Sequence, residues 1–362
     1  MRLFLFAFLL FSLAACGPDD EGTSTNCTSS VDQAEVLFRY SEIITRRVGL
    51  TFSTSNGLKS KAQFYADVPS EANLEGVKRS FIDLTVEWMK TEPYSFGPDG
   101  SLQTALEVNP FPIDEAAVDV HFNARGFDAS LPLNFDRGLP ALEYLLFNGT
   151  TAEVHQRFQV NPGSTQIILD FIDAFQAQVL KLSTVWNDAE ADFRINTGTS
   201  AGSGISVLIN SLSKHFEDTR RDRLGTPFGV TTLGFPNLQT VEAPYSARSL
   251  ELLALAVKSS QSAFFATDVV GNQNLPSLAD YLRGLPSADA ATLVDDIESQ
   301  YTLMLTTLDE IDGSLKVAVE QDRDDVQEAY NAISRQVVNL KTDVPAVACV
   351  AITYVDNPSD SD

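Results

Sequence analysis

The sequence is poor in the residues that usually build metal and redox centres. It has three cysteines and three histidines in 362 residues, and it contains no Cys-x-x-Cys pair. Zinc-ribbon and thioredoxin-type sites are therefore excluded, because both need cysteines paired at that spacing. No His-Glu-x-x-His sequence occurs either, which excludes the helix that carries the metal in many zinc peptidases.

Basic residues are scarce as well. Lys and Arg number 25 against 49 Asp and Glu, and the net charge is −24. Nucleic-acid binding needs a basic face that neutralises phosphates, so we expect no nucleic-acid partner. The acidity is instead compatible with solubility and with the attraction of cations.

Alternating apolar and polar residues, the pattern of half-buried strands, are missing, and helical spacing takes their place. Apolar residues recur every three or four positions, for example from Leu74 to Trp88 and from Ile168 to Leu182, which is typical of helices with one buried face. About eight such helices are predicted, around 31–50, 70–88, 139–147, 164–182, 205–216, 249–257, 293–315 and 322–340. We therefore predict an all-α protein, most simply two four-helix bundles in series.

The first residues indicate export. A basic start precedes an apolar run from Leu3 to Leu13 that is too short for a stable membrane span. Leu-Ala-Ala-Cys at 13–16 follows and resembles the lipobox of bacterial lipoproteins. This resemblance implies a signal peptide over 1–15, lipidation of Cys16 with palmitate-type chains, and a flexible tether over 16–30. Gly17 after the cysteine favours the outer membrane, so we expect a lipid-anchored protein of the cell envelope, in the periplasm or at the membrane.

Two cysteines remain once Cys16 carries lipid. Cys27 and Cys349 lie near opposite ends of the mature chain, and the ends of a domain often lie close together. Exported proteins also fold in an oxidising compartment. We therefore predict a disulfide between Cys27 and Cys349.

One carboxylate lies in an unusually apolar run, DRGLPALEYLLFNGT at 136–150. Drawn as a helix, this run is apolar nearly all round, so Glu143 is predicted to be buried and to need a partner, a metal or a proton. The alternative is a first-turn glutamate that only faces the helix dipole, since Pro140 suits a first turn. We expect Glu143 to be ionised and paired where the two bundles meet. The candidate cations are Arg137, Arg223 and Arg248, and the candidate neutral donors are Tyr245 and Ser249.

A second group of candidates lies between 222 and 249. Arg223 belongs to the densest basic cluster of the chain and is expected to cross between the bundles to a buried carboxylate such as Glu143. Glu242, Tyr245, Ser246 and Ser249 precede or begin a further buried helix, where the two serines can also serve as helix caps. Nothing here forms the nucleophile, base and orienting group that acyl chemistry needs.

Several segments resemble those of imelysin-like proteins, in the order found in that family. They are RGLPALEYLLF at 137–147, DRLGTPFG at 222–229, VEAPYSARSLELL at 241–253 and LKTDVPAVACVAITYVDNPSDSD at 340–362. The resemblance implies an all-helical protein of two related bundle halves, 31–195 and 196–362, with a site where they meet. It also implies an iron-uptake setting, with iron or another divalent metal and an outer-membrane iron transporter as possible partners.

The motif of this family is Gly-x-His-x-x-Glu, whose His and Glu share a helix face and can ligate a metal. Gly138 and Glu143 match it, but Pro140 occupies the histidine position and offers no ligand atom. His121, in the long segment before this helix, is the candidate that could replace the missing histidine beside Glu143.

The function hypothesis follows from this broken motif. We expect a non-catalytic lipoprotein that binds a metal-containing or small anionic ligand at the bundle interface, through Arg137, Gly138, Glu143, Arg223, Glu242, Tyr245, Ser246 and Ser249. The alternatives are a metallopeptidase, after which the family is named, and a protein-binding scaffold that uses the long segments 92–135 and 225–244.

Overall fold

A computed structural model describes residues 27–97, 104–128, 135–268 and 274–354. The predicted signal peptide, Cys16 and most of the predicted tether lie outside these residues. The described residues form helices and turns and contain no strand, which confirms the all-α prediction. A search of this part of the chain finds no helix with the length and apolar character that crossing a membrane requires.

Fifteen α-helical segments occur in the described ranges. In chain order, α1 to α15, they are Gln33–Asp67, Glu71–Thr91, Ala105–Val108, Glu115–Ala124, Gly138–Phe147, Thr151–Val160, Gln166–Ile195, Gly204–Asp218, Thr226–Phe228, Ser249–Phe265, Leu278–Arg283, Ala288–Asp309, Leu315–Gln321, Arg323–Val338 and Val344–Ala348. Wider, π-helical turns extend α8 over Thr219–Gly225 and α14 over Asn339–Asp343.

Side-chain caps fix several helix starts. The Ser70 hydroxyl accepts the backbone N–H of Asn73 at the start of α2, the helix predicted around 70–88. Asp32 accepts the N–H of Ala34 at the start of α1, and Thr150 with Glu153 forms a capping box at the start of α6. Such caps satisfy backbone donors that a helix start leaves without partners.

Two predictions about the helices need correction. The predicted helix over 293–315 breaks after Asp309 and resumes at Leu315, with Gly313 between them in the left-handed region at φ 77°. The connection between the two helices includes this left-handed glycine, which apolar spacing alone does not reveal. The segment 92–135, expected to be irregular, contains α3 and α4.

The long helices pack in two groups that share one apolar core. In the first group α1 lies along α2 and α7, and in the second α12 lies along α14. Helix α10 contacts α2 as well as α8 and α12, so it connects the groups. Large buried side chains from both groups, such as Trp88 and Tyr301, belong to the same core cluster. The exact division into halves at 195 and 196 stays a prediction.

The two ends of the described chain are joined covalently. Cys27 and Cys349 form a disulfide with their Cα atoms 5.9 Å apart. Next to it, the backbone N–H of Ser30 donates to the carbonyl oxygen of Gly284 at 2.8 Å. The start of the described chain is therefore held on the C-terminal group of helices, close to the end of the described chain.

Candidate functional site

Helix α5, which carries Glu143, begins at a position that only glycine fits. Gly138 has a φ of 84°, and a Cβ atom there would lie 2.5 Å from the carbonyl oxygen of Val108 and 2.8 Å from Cδ of Pro110. The start of α5 therefore packs directly on the backbone that follows α3. This close approach, rather than a cap, sets where Pro140 and Glu143 lie.

Glu143 is buried, as predicted, with 2% of its surface exposed. Its Oε1 accepts the backbone N–H of Ser246 at 2.6 Å, whereas its buried Oε2 has no hydrogen-bond partner among the described residues. Burial raises the pKa of Glu143 to about 7, against the opposing effect of hydrogen bonds from Ser246 and Tyr245, and the nearby charge of Glu242 raises the pKa further. Glu143 therefore exchanges a proton near neutral pH.

The prediction that Glu143 is ionised by an arginine is wrong. Within the described ranges no arginine or lysine forms an ion pair with it, because each candidate cation has a closer carboxylate. Arg137 donates to Asp136 at 2.9 Å, and Arg248 donates to Glu251 through Nε at 2.7 Å.

The neutral donors proposed for Glu143 also bond elsewhere. The Tyr245 hydroxyl donates to Oε1 of Glu115, and the Ser249 hydroxyl donates to the backbone carbonyl of Glu242. The group that reaches Glu143 is the main-chain N–H of Ser246, which the sequence gives no means to choose. Ser246 was a predicted site residue, but for its side chain.

An open cleft of about 830 Å³ lies against α5. This volume falls in the range of small-molecule sites. The start of α4, the start of α13 and the segment 238–245 form its other walls. Its polar and charged lining residues are Asp114, Glu115, Glu143, Gln239, Tyr245 and Lys316. Three carboxylates against one lysine make the lining acidic.

Two tyrosines join the walls of this cleft. The rings of Tyr144 and Tyr245 pack edge to face with centroids 5.1 Å apart. Burial, with the neighbouring Glu115 carboxylate, raises the pKa of Tyr245, so its hydroxyl stays protonated and donates to Glu115. The Tyr144 hydroxyl donates to Asp119 at 3.1 Å. These bonds fix α4 and α5 against the segment that carries Ser246.

A second, much smaller pocket is also lined by Glu143. It measures about 20 Å³ and is lined by Thr85, Asn109, Glu242 and Ser246, among others. This is enough for about one water molecule. Glu143 therefore lines both the open cleft and a small pocket that Glu242 lines as well.

Arg223 is the centre of the buried charges beyond that cavity. It is 4% exposed and donates to Glu242 at 2.8 Å and to both carboxylate oxygens of Glu92 at 2.9 Å. Asn109 donates to the second oxygen of Glu242 at 2.6 Å, and Nε2 of His215 lies 3.3 Å from Glu92. Arg223, in the second predicted half, thus reaches Glu92 of the first half instead of Glu143, and it also pairs with Glu242 of its own half.

The charges of this cluster leave Glu92 fully ionised. Burial alone would raise the pKa of Glu92, but Arg223 and His215 overcome that effect and hold the pKa at about 2. The sequence does not mark Glu92 as a site residue, because a glutamate before Pro93 at the end of a helix is unremarkable. Its partner Arg223 is 131 residues away, and no local pattern connects the two.

His121 does not complete a metal site with Glu143. Its Nε2 lies 3.0 Å from Asp136, and its ring packs edge to face on Phe127 and Phe171. Arg137 and His121 together outweigh burial and lower the pKa of Asp136. A search of the described residues finds no group of three or more His, Cys, Asp or Glu side chains that could hold a metal ion.

Fold and site together define a class: an all-α protein of two helix groups with a buried carboxylate in the wall of an acidic cleft. The imelysin family model matches residues 52–340, and the chain therefore belongs to the imelysin family. This confirms the resemblance inferred from the sequence.

Two solved structures share the fold. An imelysin-like protein from Psychrobacter arcticum 273-4 is 15% identical, with a TM-score of 0.70 over 90% of this chain and 99% of that one. A protein from Parabacteroides distasonis ATCC 8503, provisionally described as an iron-regulated protein A precursor, is 13% identical, with a TM-score of 0.68 over 89% and 96% of the two chains. No curated protein matches the sequence.

Proposed function

We propose that this chain is a non-catalytic binding protein of the bacterial envelope that takes a metal-containing ligand into the cleft beside Glu143, in an iron-uptake setting. The observation that carries the proposal is the Glu143 carboxylate, which is 2% exposed and keeps one oxygen without a partner among the described residues. A buried carboxylate without a charge partner is costly. Groups held in this way are more frequent at functional sites than elsewhere.

The charge of the cleft favours a cationic ligand over the small anionic ligand that the sequence also allowed. Asp114, Glu115 and Glu143 contribute carboxylates, whereas Lys316 is the basic residue of the lining. Arg137, Arg223 and Arg248, on which an anion would depend, are tied to carboxylates, as described above. A bound metal complex with positive charge, or with N–H or O–H donors, would give Glu143 the partner that it lacks.

The cellular setting rests on two further points. The sequence at 13–16 resembles a lipobox, which supports a lipid-anchored envelope protein. The outer-membrane iron transporter proposed as its partner follows from the family resemblance. A protein of the same fold is described as iron-regulated, which supports an iron-uptake role without naming the ligand.

A metallopeptidase is the second candidate, because the family is named for one and Glu143 matches the motif glutamate. It needs a metal held by several protein ligands, and the described residues offer no such group. Pro140 lines the same cleft as Glu143, so the missing histidine would have belonged to this site.

Equilibrium dialysis tests the proposal on residues 17–362, which include every described residue. The protein is dialysed against ferrous, ferric-citrate and zinc solutions, and bound metal is measured by elemental analysis. We expect stoichiometric uptake of one of them, weakened at least about tenfold by Glu143→Gln, which equals about 1.4 kcal/mol. Glu298→Gln is the matched control, since this glutamate is 60% exposed.

Equal metal uptake by the wild type and by Glu143→Gln would remove Glu143 from the ligand site. Absence of uptake in all three solutions would contradict binding of these metals. Cleavage of casein by the wild type but not by Glu143→Gln would favour the peptidase.

A further inference from the structure

A short loop presents large apolar side chains to water. Leu233 is 95% exposed, Phe235 73% and Val230 50%. This loop, 230–235, directly follows the DRLGTPFG segment. Single exposed apolar residues are ordinary, but three within six residues form a local patch of the kind that marks interaction sites.

The 230–235 loop is fixed by its own backbone. Gly229 has a φ of 100°, and a Cβ atom there would lie 2.4 Å from the carbonyl oxygen of Phe235. The N–H of Gly234 donates to the Gly229 carbonyl at 2.9 Å, and the N–H of Asn237 donates to the Pro227 carbonyl at 2.9 Å. Leu233 itself is left-handed at φ 56°, a conformation that costs energy in a non-glycine residue.

The loop is thus held in a strained shape that exposes its apolar side chains. This shape does not stabilise the free protein, because it leaves apolar side chains exposed to water. A preformed loop does, however, lose little conformational entropy when a partner binds.

An acidic segment lies beside the loop. The guanidinium of Arg323 lies 4.4 Å from the ring centroid of Phe228 and donates to the carbonyl oxygens of Gly234 at 3.2 Å and Phe228 at 3.4 Å. The loop is therefore tied to the start of α14. Arg323 belongs to segment 309–328, which has eight acidic and two basic residues.

The acids of this segment are close together in space. Desolvation and the charges of Asp325, Asp312 and Asp324 raise the pKa of Asp322. Asp312 and Asp324 are exposed. Apolar side chains on the loop thus adjoin a region of concentrated negative charge.

We propose that the 230–235 loop and the acidic segment 309–328 form a docking surface for another protein, whose contact area is an apolar socket bordered by Lys and Arg. The apolar side chains of the loop make the buried contact, and the negative charges of the acidic segment orient the partner as it approaches. Complementary charge around an apolar centre raises association rates and excludes wrong partners.

Charge also decides between this partner and other occupants. A second copy of the chain would place acid against acid. A bilayer with anionic headgroups would be repelled by the same acids. The surface adjoins the ligand cleft, since Gln239 and Lys316 line that cleft, but docking does not depend on any ligand.

Site-specific photo-crosslinking in the cells that make the full chain tests the docking surface. A photoreactive residue is placed at Leu233, and in controls at Val160 or Ile195, each 74% exposed and apolar. We expect one protein to crosslink at 233 and not at the control positions, through a peptide rich in Lys and Arg. The double variant Asp312→Lys/Asp324→Lys is expected to lower the yield at least fivefold.

The control for charge is Asp188→Lys/Asp192→Lys, which changes the net charge equally at exposed positions of α7 and should leave the yield unchanged. Lys→Glu changes at the crosslinked site of the partner should restore the yield with the charge-reversed chain. Crosslinking to lipid or to a second copy of the chain would overturn the proposal. So would a crosslinking yield at position 233 no higher than at the control positions, or a yield that is unchanged in the Asp312→Lys/Asp324→Lys variant.

Discussion

Glu92 and Glu143 are both buried glutamates, 8% and 2% exposed, yet their pKa values move in opposite directions. Burial disfavours the ionised form of each. At Glu92 the charges of Arg223 and His215 prevail and the pKa falls to about 2. At Glu143 the hydrogen bonds from Ser246 and Tyr245 are too weak to offset burial, and the pKa rises to about 7.

The contrast teaches that burial alone does not identify a site. Both carboxylates of the Arg223 cluster have a partner within the cluster, which is typical of a structural connection between two groups of helices. Glu143 keeps an unsatisfied oxygen beside a cleft and can still gain a partner. The following predictions test that difference, from the largest expected effect to the smallest.

The largest effect is expected when Arg223, the arginine partner of Glu92, is replaced. Arg223→Met leaves Glu242 buried without a cation and Glu92 with only His215 beside it, and it should lower the free energy of unfolding by roughly 3–5 kcal/mol. Urea unfolding at pH 7 measures this. The matched control is Arg221→Met, which removes a half-exposed arginine paired with Asp218 and Asp222 and should cost about 1 kcal/mol or less. Similar losses in both variants would show that the Arg223 cluster is not the connection described here.

Glu143→Gln should change how stability depends on pH. The folded pKa of about 7 lies above the ordinary 4.5, so the stability gained from protonation is fully present below pH 4.5. It is lost as pH rises through 7, on the order of 3 kcal/mol in total. Glutamine stays neutral at every pH. Between pH 5 and pH 8 the free energy of unfolding of the variant should therefore fall by about 3 kcal/mol less than that of the wild type.

Urea unfolding across the same pH range checks this expectation, with Glu298→Gln expected to keep the wild-type slope. Glu92 does not interfere, because its pKa is lowered: its contribution is present above pH 4.5 and is lost only as pH falls through about 2. An unchanged slope in Glu143→Gln would mean that Glu143 is already ionised and paired at neutral pH.

Gly138→Ala tests whether the start of α5 sets the position of Glu143. A left-handed φ and a Cβ atom 2.5 Å from the Val108 carbonyl should together cost about 2 kcal/mol or more. Gly49→Ala is the matched control, because this residue lies inside α1 with open space around it. Alanine there should raise the free energy of unfolding by no more than about 1 kcal/mol. Thermal melting compares the two, and equal effects would contradict the tight packing of Gly138.

Pro140→His offers the smallest and most specific change. It restores the family motif in a position that lines the same cleft as Glu143. We expect zinc affinity, measured by competition with a chromogenic chelator, to rise about tenfold, or about 1.4 kcal/mol. Pro140→Ala removes the proline without adding a ligand and should show no gain. Should histidine also give no gain, more than one ligand of the motif site would be missing from this chain.

The sequence by itself determined the helical class, the start of a helix near residue 70 and the burial of Glu143. These depend on the spacing of apolar residues and on side chains a few positions apart, so they are local properties. The motif segments also identified the family, because their order along the chain is itself a sequence property. The break after Asp309 could not be predicted from apolar spacing, because α13 continues the same spacing after Gly313.

Only the tertiary structure decided which charges meet. Arg223 finds Glu92 across 131 residues, and Glu143 finds a main-chain N–H across 103 residues. His121 pairs with Asp136 instead of Glu143. Electrostatic pairing depends on distances of a few ångströms and on the dielectric around each group, and both arise only when helices far apart in sequence pack together. The same residue type therefore became a fixed ion pair at position 92 and a group that titrates near neutral pH at position 143.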